Sequence, residues 1–434
     1  MDDAFKRAVI DSREVERGDL FFALHGDHHD GHDFVDEAVA RGASGLVVDR
    51  PLAPAYGGVA VFQVSDSLSA LQRLAAYWRT RHEARVIGVT GSVGKTTCKE
   101  LIAAVLAARW TVLKSAANLN TEIGLPLTLL QLTPHHKRAV LEMAMYGRGE
   151  INLLCRIARP QIGVVTNVGP VHMERLGSMG AIASAKAELV EALPKDPNGI
   201  AILNGDDSRV AAMASRTKAR VLLYGQSKQC QVRGSNLKGR GLDGISFRLT
   251  YGDTQVEVET PLPGRHHIYP ALAAAAVGLS EGMTLTEIAG ALRQARPELR
   301  LRVLHTPNGA TVLDDSYNAS PQSMLAVLDL LAELPARRIA LLGEMRELGA
   351  AAEEGHRQVG EQAAACTDLL LVVGEPARPL YEAALKAGAE ARFFNSPADV
   401  APVLRNELRP EDHLLVKASR AVALESVVEG LVAP

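Results

Sequence analysis

The chain has 434 residues, 47% hydrophobic and 22% charged, which is ordinary globular usage and disfavours disordered, collagenous and coiled-coil classes. At roughly 150 residues per domain, that length predicts about three domains. Lys plus Arg number 47 against 50 Asp plus Glu, a net charge of −3, and no basic run could track a phosphate backbone, so nucleic acid is not the expected partner.

Residues 1–82 combine short apolar runs, Gly45 to Val48 and Val59 to Val64, with a helix-like segment from Leu68 to Arg81 and a His-rich loop from His25 to Asp33, the signature of a small α/β unit. From Arg85 a new rhythm begins. Apolar runs at Val86–Thr90, Ala139–Met143, Ile162–Val168, Ile200–Leu203 and Val221–Tyr224 alternate with longer helical stretches, which predicts a parallel sheet with crossover helices. Between Gln231 and Thr260 the period shortens to two, as in Val256-Glu257-Val258-Glu259, and glycines recur, so an antiparallel appendage is expected there. Helices over Ala271–Leu279 and Leu285–Gln294 close this region before Pro297, where a boundary is placed. Beyond it, strands are predicted near Thr311–Asp314, Arg338–Leu342, Leu369–Val373, Arg392–Phe394 and His413–Val416, with helices between them, a doubly wound unit. The domains are therefore expected at 1–82, 83–296 and 297–434. Cys98, Cys155, Cys230 and Cys366 lie far apart with no CxxC pair, which fits a reducing cytoplasm. The charged N-terminus, Met1 to Arg7, leads into no signal core, and no run reaches the roughly 18 apolar residues of a membrane span.

The sharpest local signal is Thr90-Gly91-Ser92-Val93-Gly94-Lys95-Thr96-Thr97, between the run Val86–Val89 and a helical stretch from Cys98. Strand, glycine turn and helix come in the order that cradles phosphate: backbone N–H groups close around the oxygens, Lys95 neutralises β and γ phosphates, and the Thr96 hydroxyl coordinates Mg²⁺. Val89 stands where the strict pattern has glycine, so the motif is a shortened form. A second carboxylate for the metal belongs at a neighbouring strand end, and Glu142 fits, although a lone strand-end acid is as readily a solvated one. The next strand end gives Thr166-Asn167 and then His172 and Glu174; a single histidine is more commonly a packing or surface residue than a ligand. Lys186, by spacing alone, reads as a solvated helix lysine. In the last third, Asp314-Asp315-Ser316-Tyr317-Asn318-Ala319-Ser320-Pro321 ends a strand at a helix start, and Lys417-Ala418-Ser419-Arg420 sets cationic and hydroxyl groups at another strand end, suited to phosphate or carboxylate.

Taken with Asp11-Ser12-Arg13, Gly18 to Leu24, Asp30 to Phe34, Asn118 to Pro126, Ala185-Lys186 and Gly343 to Gly349, these motifs resemble the Mur ligase family of cytoplasmic peptidoglycan synthesis over almost the whole chain. The resemblance implies three α/β domains: a small UDP-sugar domain, a central P-loop ATPase-like parallel sheet with an antiparallel appendage, and a C-terminal Rossmann-like doubly wound domain. It implies ATP and Mg²⁺ as cofactors, small-molecule substrates, a cytoplasmic monomer, and ATP-dependent ligation of D-alanyl-D-alanine to a UDP-muramoyl-tripeptide through an acyl phosphate. By the same resemblance, Lys95, Glu142, His172 and Lys186 are catalytic, and Thr96, Glu142, His172 and a carbamylated Lys186 hold the metal. Gly91 to Thr97, His267, Arg300 and Asp315 would meet ATP. Ser12, Arg13, Asp30, His32, Asn118, Asn120, Thr121, Tyr317, Asn318, Lys417, Ser419 and Arg420 would meet the other substrates. The chain departs from the family at His267 and Pro270, where Asn is usual, and at Ala144 and Ala418, where Gly is usual. Two further readings stay open: another amino acid ligase of the superfamily, and a non-catalytic nucleotide-sugar-binding relative. The first domain argues against a folylpolyglutamate synthase, which has no UDP-sugar to hold.

Overall fold

A computed structural model describes residues 5–26, 28–52, 56–116, 118–297 and 300–432; Met1 to Ala4 of the charged N-terminus lie outside the described residues. Its strands form three sheets. The first holds β1 (Ala8–Val9), β2 (Leu20–Phe22), β3 (Gly45–Val48) and β4 (Ala60–Gln63) in that order, all parallel. The helix Ser67–Thr80, started by the Asp66 carboxylate accepting from the Ser69 N–H, then leads into the middle of the molecule.

The central sheet contains β5 (Arg85–Thr90), β6 (Val112–Lys114), β7 (Arg138–Glu142), β8 (Ile162–Val165), β9 (Ile200–Asn204), β10 (Arg220–Gly225), β11 (Val232–Gly239), β12 (Ile245–Tyr251) and β13 (Thr254–Thr260), ordered 13-12-11-10-9-8-5-7-6. From β6 to β10 the neighbours are parallel. The antiparallel appendage is β11 to β13, and it joins the sheet through a two-pair parallel register, Tyr224 with Val232 and Gly225 with Arg233. Alternation along β5 explains why both faces are covered: Ile87 and Val89 pack with the helices Lys95–Ala107 and Ile268–Ser280, while Val86 packs on the opposite side with Leu71, Ile151 and Ile182. The Ala-rich helix Ile268–Ser280 is buried along nearly its whole length, its small side chains allowing close approach to its neighbours. Leu20, Phe22 and Val47 of the first sheet share a core with the central sheet, so the two units pack through apolar contact.

The third sheet holds β14 (Arg302–His305), β15 (Thr311–Asp314), β16 (Arg338–Gly343), β17 (Leu369–Val373), β18 (Ala391–Phe394) and β19 (His413–Lys417), ordered 14-15-19-16-17-18, with only β14 antiparallel. Separate apolar clusters cover its two faces. Pro321 and Ser320 open the helix Pro321–Ala332 as predicted, with Ser320 as the N-cap. Among the described residues, no helix is long and apolar enough to cross a membrane.

Candidate active site

β5 lies between β7 and β8, so the carboxyl ends of three strands converge where the chain order reverses, the place where open α/β sheets bind ligands. The loop after β5 is shaped by two glycines. Gly91 has φ +149° and a Cβ there would stand 1.8 Å from Thr166 Oγ1; Gly94, at φ +81°, is the N-cap of the helix Lys95–Ala107. The strand end beyond β8 clamps this loop: Thr166 Oγ1 donates to Val93 O at 2.8 Å, Val93 N–H to Asn167 Oδ1 at 2.9 Å, and Asn167 Nδ2 to Val93 O at 2.9 Å. Ser92 is held by Gly169 in both directions, at 2.8 and 3.1 Å. Lys95 folds back so that Nζ donates to Gly91 O at 2.9 Å and Ser92 O at 3.2 Å, and burial pushes its ammonium below the ordinary lysine range while Glu142 works against that shift.

Glu142 ends β7 and is completely buried. Its Oε1 accepts from Asn120 Nδ2 at 2.9 Å, and its Oε2 has no hydrogen-bond partner among the described residues. His172 adopts φ +62°, a conformation rare for a non-glycine residue, and its Nδ1 lies 2.5 Å from Glu347 Oε2, itself at φ +64°, but off the line of a hydrogen bond. Lys186 corrects its spacing-based reading: it is buried, not solvated. It falls with Ile182, Ala185 and Leu189 on the inward face of the helix Met179–Glu191, and burial, then the nearby Lys95, drive its amine well below the usual range.

A cavity of about 390 Å³ opens over the loop, lined by Ser92 to Thr97, His266, His267, Arg300, Asp315, Asn318 and Lys417 among others. Lys417, itself buried, donates to Asp315 Oδ2 at 2.6 Å and to Asn318 O at 2.7 Å. Arg300 reaches across to Thr96 Oγ1 at 3.4 Å and stacks over Tyr317, which Arg420 also covers. His267 is held by its Nδ1–H donating to Pro263 O at 2.6 Å, which leaves Nε2 as an acceptor; Pro270 lines the same wall. Burial depresses the His267 pKa to about 4, and burial, then the neighbouring His267, hold His266 well below the ordinary histidine range. Residues that sequence reasoning missed complete the wall: Asn204, Asp206, Tyr224, Tyr269 and Gln322. Asn204 ends β9 as Glu142 ends β7, so the strand-end rule was its available signal.

Other expected residues stand apart from this cavity. Ser12 Oγ donates to Glu37 Oε2 at 2.7 Å, Arg13 pairs with Asp11, and Asp30 accepts from the His32 backbone and ring. Asn118 and Asn120 precede the helix Gly124–Leu129; Thr121 borders a small separate hollow beside Tyr146. Ser419 Oγ accepts from the Arg346 N–H at 2.9 Å.

Sequence models of three Mur ligase domains match the chain: the family catalytic domain at residues 6–79, the middle domain at 89–278 and the glutamate ligase domain at 299–420. The UDP-N-acetylmuramoyl-tripeptide--D-alanyl-D-alanine ligase of Synechocystis is 42% identical, covering 98% of this chain and 91% of the relative; that of Escherichia coli K12 is 38% identical, covering 98% and 93%. Among solved structures, MurF from Acinetobacter baumannii superposes with a TM-score of 0.89 at 29% identity, covering 99% of this chain and 94% of that one. The MurF ligase of Thermotoga maritima in complex with ADP gives 0.87 at 30% identity, covering 99% and 98%.

Proposed function

This chain belongs to the Mur ligase family, and on that premise we propose the roles its residues take in the reaction. The protein is an ATP-dependent ligase of peptidoglycan synthesis and so of cell-wall biogenesis: it joins D-alanyl-D-alanine to UDP-N-acetylmuramoyl-tripeptide, with ATP and Mg²⁺ as cofactors, giving the UDP-N-acetylmuramoyl-pentapeptide. The observation that carries the reading is one cavity lined both by a phosphate-cradling loop and by a cation–carboxylate pair from the third sheet, with the buried carboxylate of Glu142, one oxygen unused, close enough to act on Lys95 of that loop.

A carboxylate is a poor electrophile, so the tripeptide's terminal carboxylate first attacks the γ-phosphorus of ATP, forming an acyl phosphate as the bond to ADP breaks. The amine of D-Ala-D-Ala then attacks the acyl carbon, expelling phosphate and losing a proton. Lys95 would move from its two loop carbonyls to the phosphate oxygens, stabilising charge as it develops. Asn204, Tyr224, Tyr269 and His267 would surround the base, with His267 Nε2 accepting from an exocyclic amine. Glu142 with its free Oε2 and Thr96 with its hydroxyl are oxygen donors of the kind Mg²⁺ takes, and by the family resemblance His172 would join them. A bound Mg²⁺ would neutralise phosphate charge. Lys186 enters this set only as an anion, and its buried amine, disfavoured as a cation, is suited to form a carbamate with carbon dioxide, the new N–C bond releasing one proton. Asp315, Asn318 and Lys417 would approach ATP or the dipeptide from the third domain, and Tyr317, Ser419 and Arg420 the peptide.

The first domain, proposed as 1–82, would hold the UDP-sugar through Ser12, Arg13, Asp30 and His32, with Asn118, Asn120 and Thr121 bordering the muramoyl-peptide; 83–296 would be the ligase domain and 297–434 the closing one. Contacts across the second boundary, Arg300 with Thr96 and Arg265 with Glu333, support a domain that shields the acyl phosphate from water. A cytoplasmic monomer is proposed, to be checked by mass in solution. Phosphate release from ATP, Mg²⁺, UDP-muramoyl-tripeptide and D-Ala-D-Ala, with one component omitted at a time, tests the whole reading. Release requiring all four supports it; tight UDP-tripeptide binding without turnover favours the non-catalytic relative, for which His267 and Pro270 are the motive.

A further inference from the structure

Close to Glu142 lies a buried lysine that the reaction scheme leaves idle. Lys99 stands one turn beyond Lys95 on the helix Lys95–Ala107, and its side chain is 1% exposed. Its Nζ donates to Ser115 O at 2.7 Å and lies 3.1 Å from Glu100 Oε1, while Glu100 Oε2 pairs with Lys114. Ser115, fully buried, directly follows β6. Its N–H donates to Val140 O at 3.1 Å, continuing the parallel ladder of β6 with β7. The next rung of that ladder would carry the Glu142 N–H to Ser115 O. Ser115 Oγ takes that N–H instead, at 3.1 Å, and the carbonyl is left for Lys99.

We propose that Lys99 is a positioning residue that fixes Glu142 against the phosphate loop through Ser115, a role that rests on the ligase reading. Lys99 belongs to the helix that begins with Lys95 and Thr96, and Glu142 ends β7, so the contacts of Lys99 and Ser115 form a polar tie between the two sides of the site. Asn120 holds the side chain itself, donating to Glu142 Oε1 at 2.9 Å. Main chain and one carboxylate oxygen are thereby fixed, and Oε2 is the atom left over for a ligand. Stability does not account for the lysine, because exchanging a buried ion pair for apolar side chains of similar volume is commonly neutral or stabilising. What the ammonium adds is direction. Without it Ser115 O regains its place as acceptor for the Glu142 N–H, and the end of β7 can settle into an ordinary ladder with Glu142 displaced. Such a displacement would act on the divalent ion that the Glu142 and Thr96 oxygens suit, as loss of the outer partner of a metal ligand does.

The test uses the full chain and two readouts, phosphate release and the binding of Mn²⁺ together with ADP, followed by electron paramagnetic resonance. Lys99→Met should weaken Mn²⁺ in the ADP complex about tenfold and lower kcat by a similar factor. The KM for UDP-muramoyl-tripeptide and the affinity for metal-free ADP should stay within about twofold. Ser115→Ala removes the acceptor of the Glu142 N–H and carries the same expectation, so it repeats the test should Lys99→Met fail to fold. Lys114→Met is the control: it takes a charge from the same network at a half-exposed position that does not bond Ser115, and both readouts should stay within about twofold. In a Glu142→Gln chain, adding Lys99→Met should change kcat by less than about twofold, because the residue through which it acts is already altered. Equal losses in both backgrounds would overturn the proposal, as would unchanged Mn²⁺ affinity in Lys99→Met or the same loss from Lys114→Met. If the unaltered chain binds Mn²⁺ with ADP but releases no phosphate, the ligase reading fails, and the metal readout still decides the role of Lys99.

Discussion

Around the P-loop, Glu142 Oε2 and His266 Nδ1 are buried without a hydrogen-bond partner among the described residues, whereas in the first domain Ser12, Arg13 and His32 each use polar atoms on a neighbour. Leaving a buried polar atom unpaired costs about 1–3 kcal/mol. Two such atoms beside one cavity mark a place that ligands can finish, while Ser12, Arg13 and His32 of the first domain are satisfied within the fold. Substitutions in the crevice should therefore reduce catalysis more than stability, and substitutions in the first domain should do the reverse.

Lys95→Ala gives the widest separation. Among the described residues its ammonium hydrogen-bonds the loop carbonyls of Gly91 and Ser92, so the thermal midpoint should change little while phosphate release falls roughly 10³-fold. A large drop in melting temperature with turnover retained would erase the distinction. Glu142→Gln comes next: activity should fall about 10²-fold and require more Mg²⁺, with melting temperature unchanged or higher because a buried charge is removed. If stability falls instead, the unpaired Oε2 is structural.

Much of this contrast was legible in the sequence, and the exceptions have physical causes. The apolar runs of the central and third sheets stand out because strands covered on both faces need continuous Val, Ile and Leu. β1, β2, β6 and β14 have two to four residues, too few for any period to show. The P-loop is contiguous and was readable as a string; Asn204, Tyr224, Tyr269 and Gln322 come from four separate elements and meet only in space. Lys186 was misread as solvated although Ile182, Ala185, Lys186 and Leu189 repeat at the 0, 3, 4, 7 spacing of a buried helix face; the charge concealed a position that the pattern marked as internal.

His267 links the two kinds of region, since it lines the cavity yet is satisfied by Pro263 O. Burial lowers its pKa to about 4 from the ordinary 6.5. Below pH 6.5 the unfolded chain therefore takes up a proton that the folded chain refuses. The neutral imidazole stabilises the fold fully above pH 6.5, and that contribution declines as pH falls toward 4, by about 2 kcal/mol on reaching pH 5. His267→Gln should flatten the decline in melting temperature between pH 6.5 and 5 by that amount. An unaltered slope would mean the imidazole is protonated in place.

Ser12→Ala is the smallest expected effect and the most direct probe of the first domain. The hydroxyl is buried and donates at 2.7 Å to Glu37 Oε2, while Glu37 Oε1 is engaged by Arg41. Removing the donor deletes one hydrogen bond to a charged acceptor, but Glu37 is partly exposed, so water can replace it and the loss should be about 1 kcal/mol, read as a small fall in the urea midpoint at constant slope. If Ser12 only holds the turn, the KM for UDP-muramoyl-tripeptide stays within about twofold. If that KM rises tenfold with the midpoint unmoved, the hydroxyl leaves Glu37 for the nucleotide sugar on binding. The first domain would then be finished by ligand as the crevice is, through exchange of a bond already made and not through one left open.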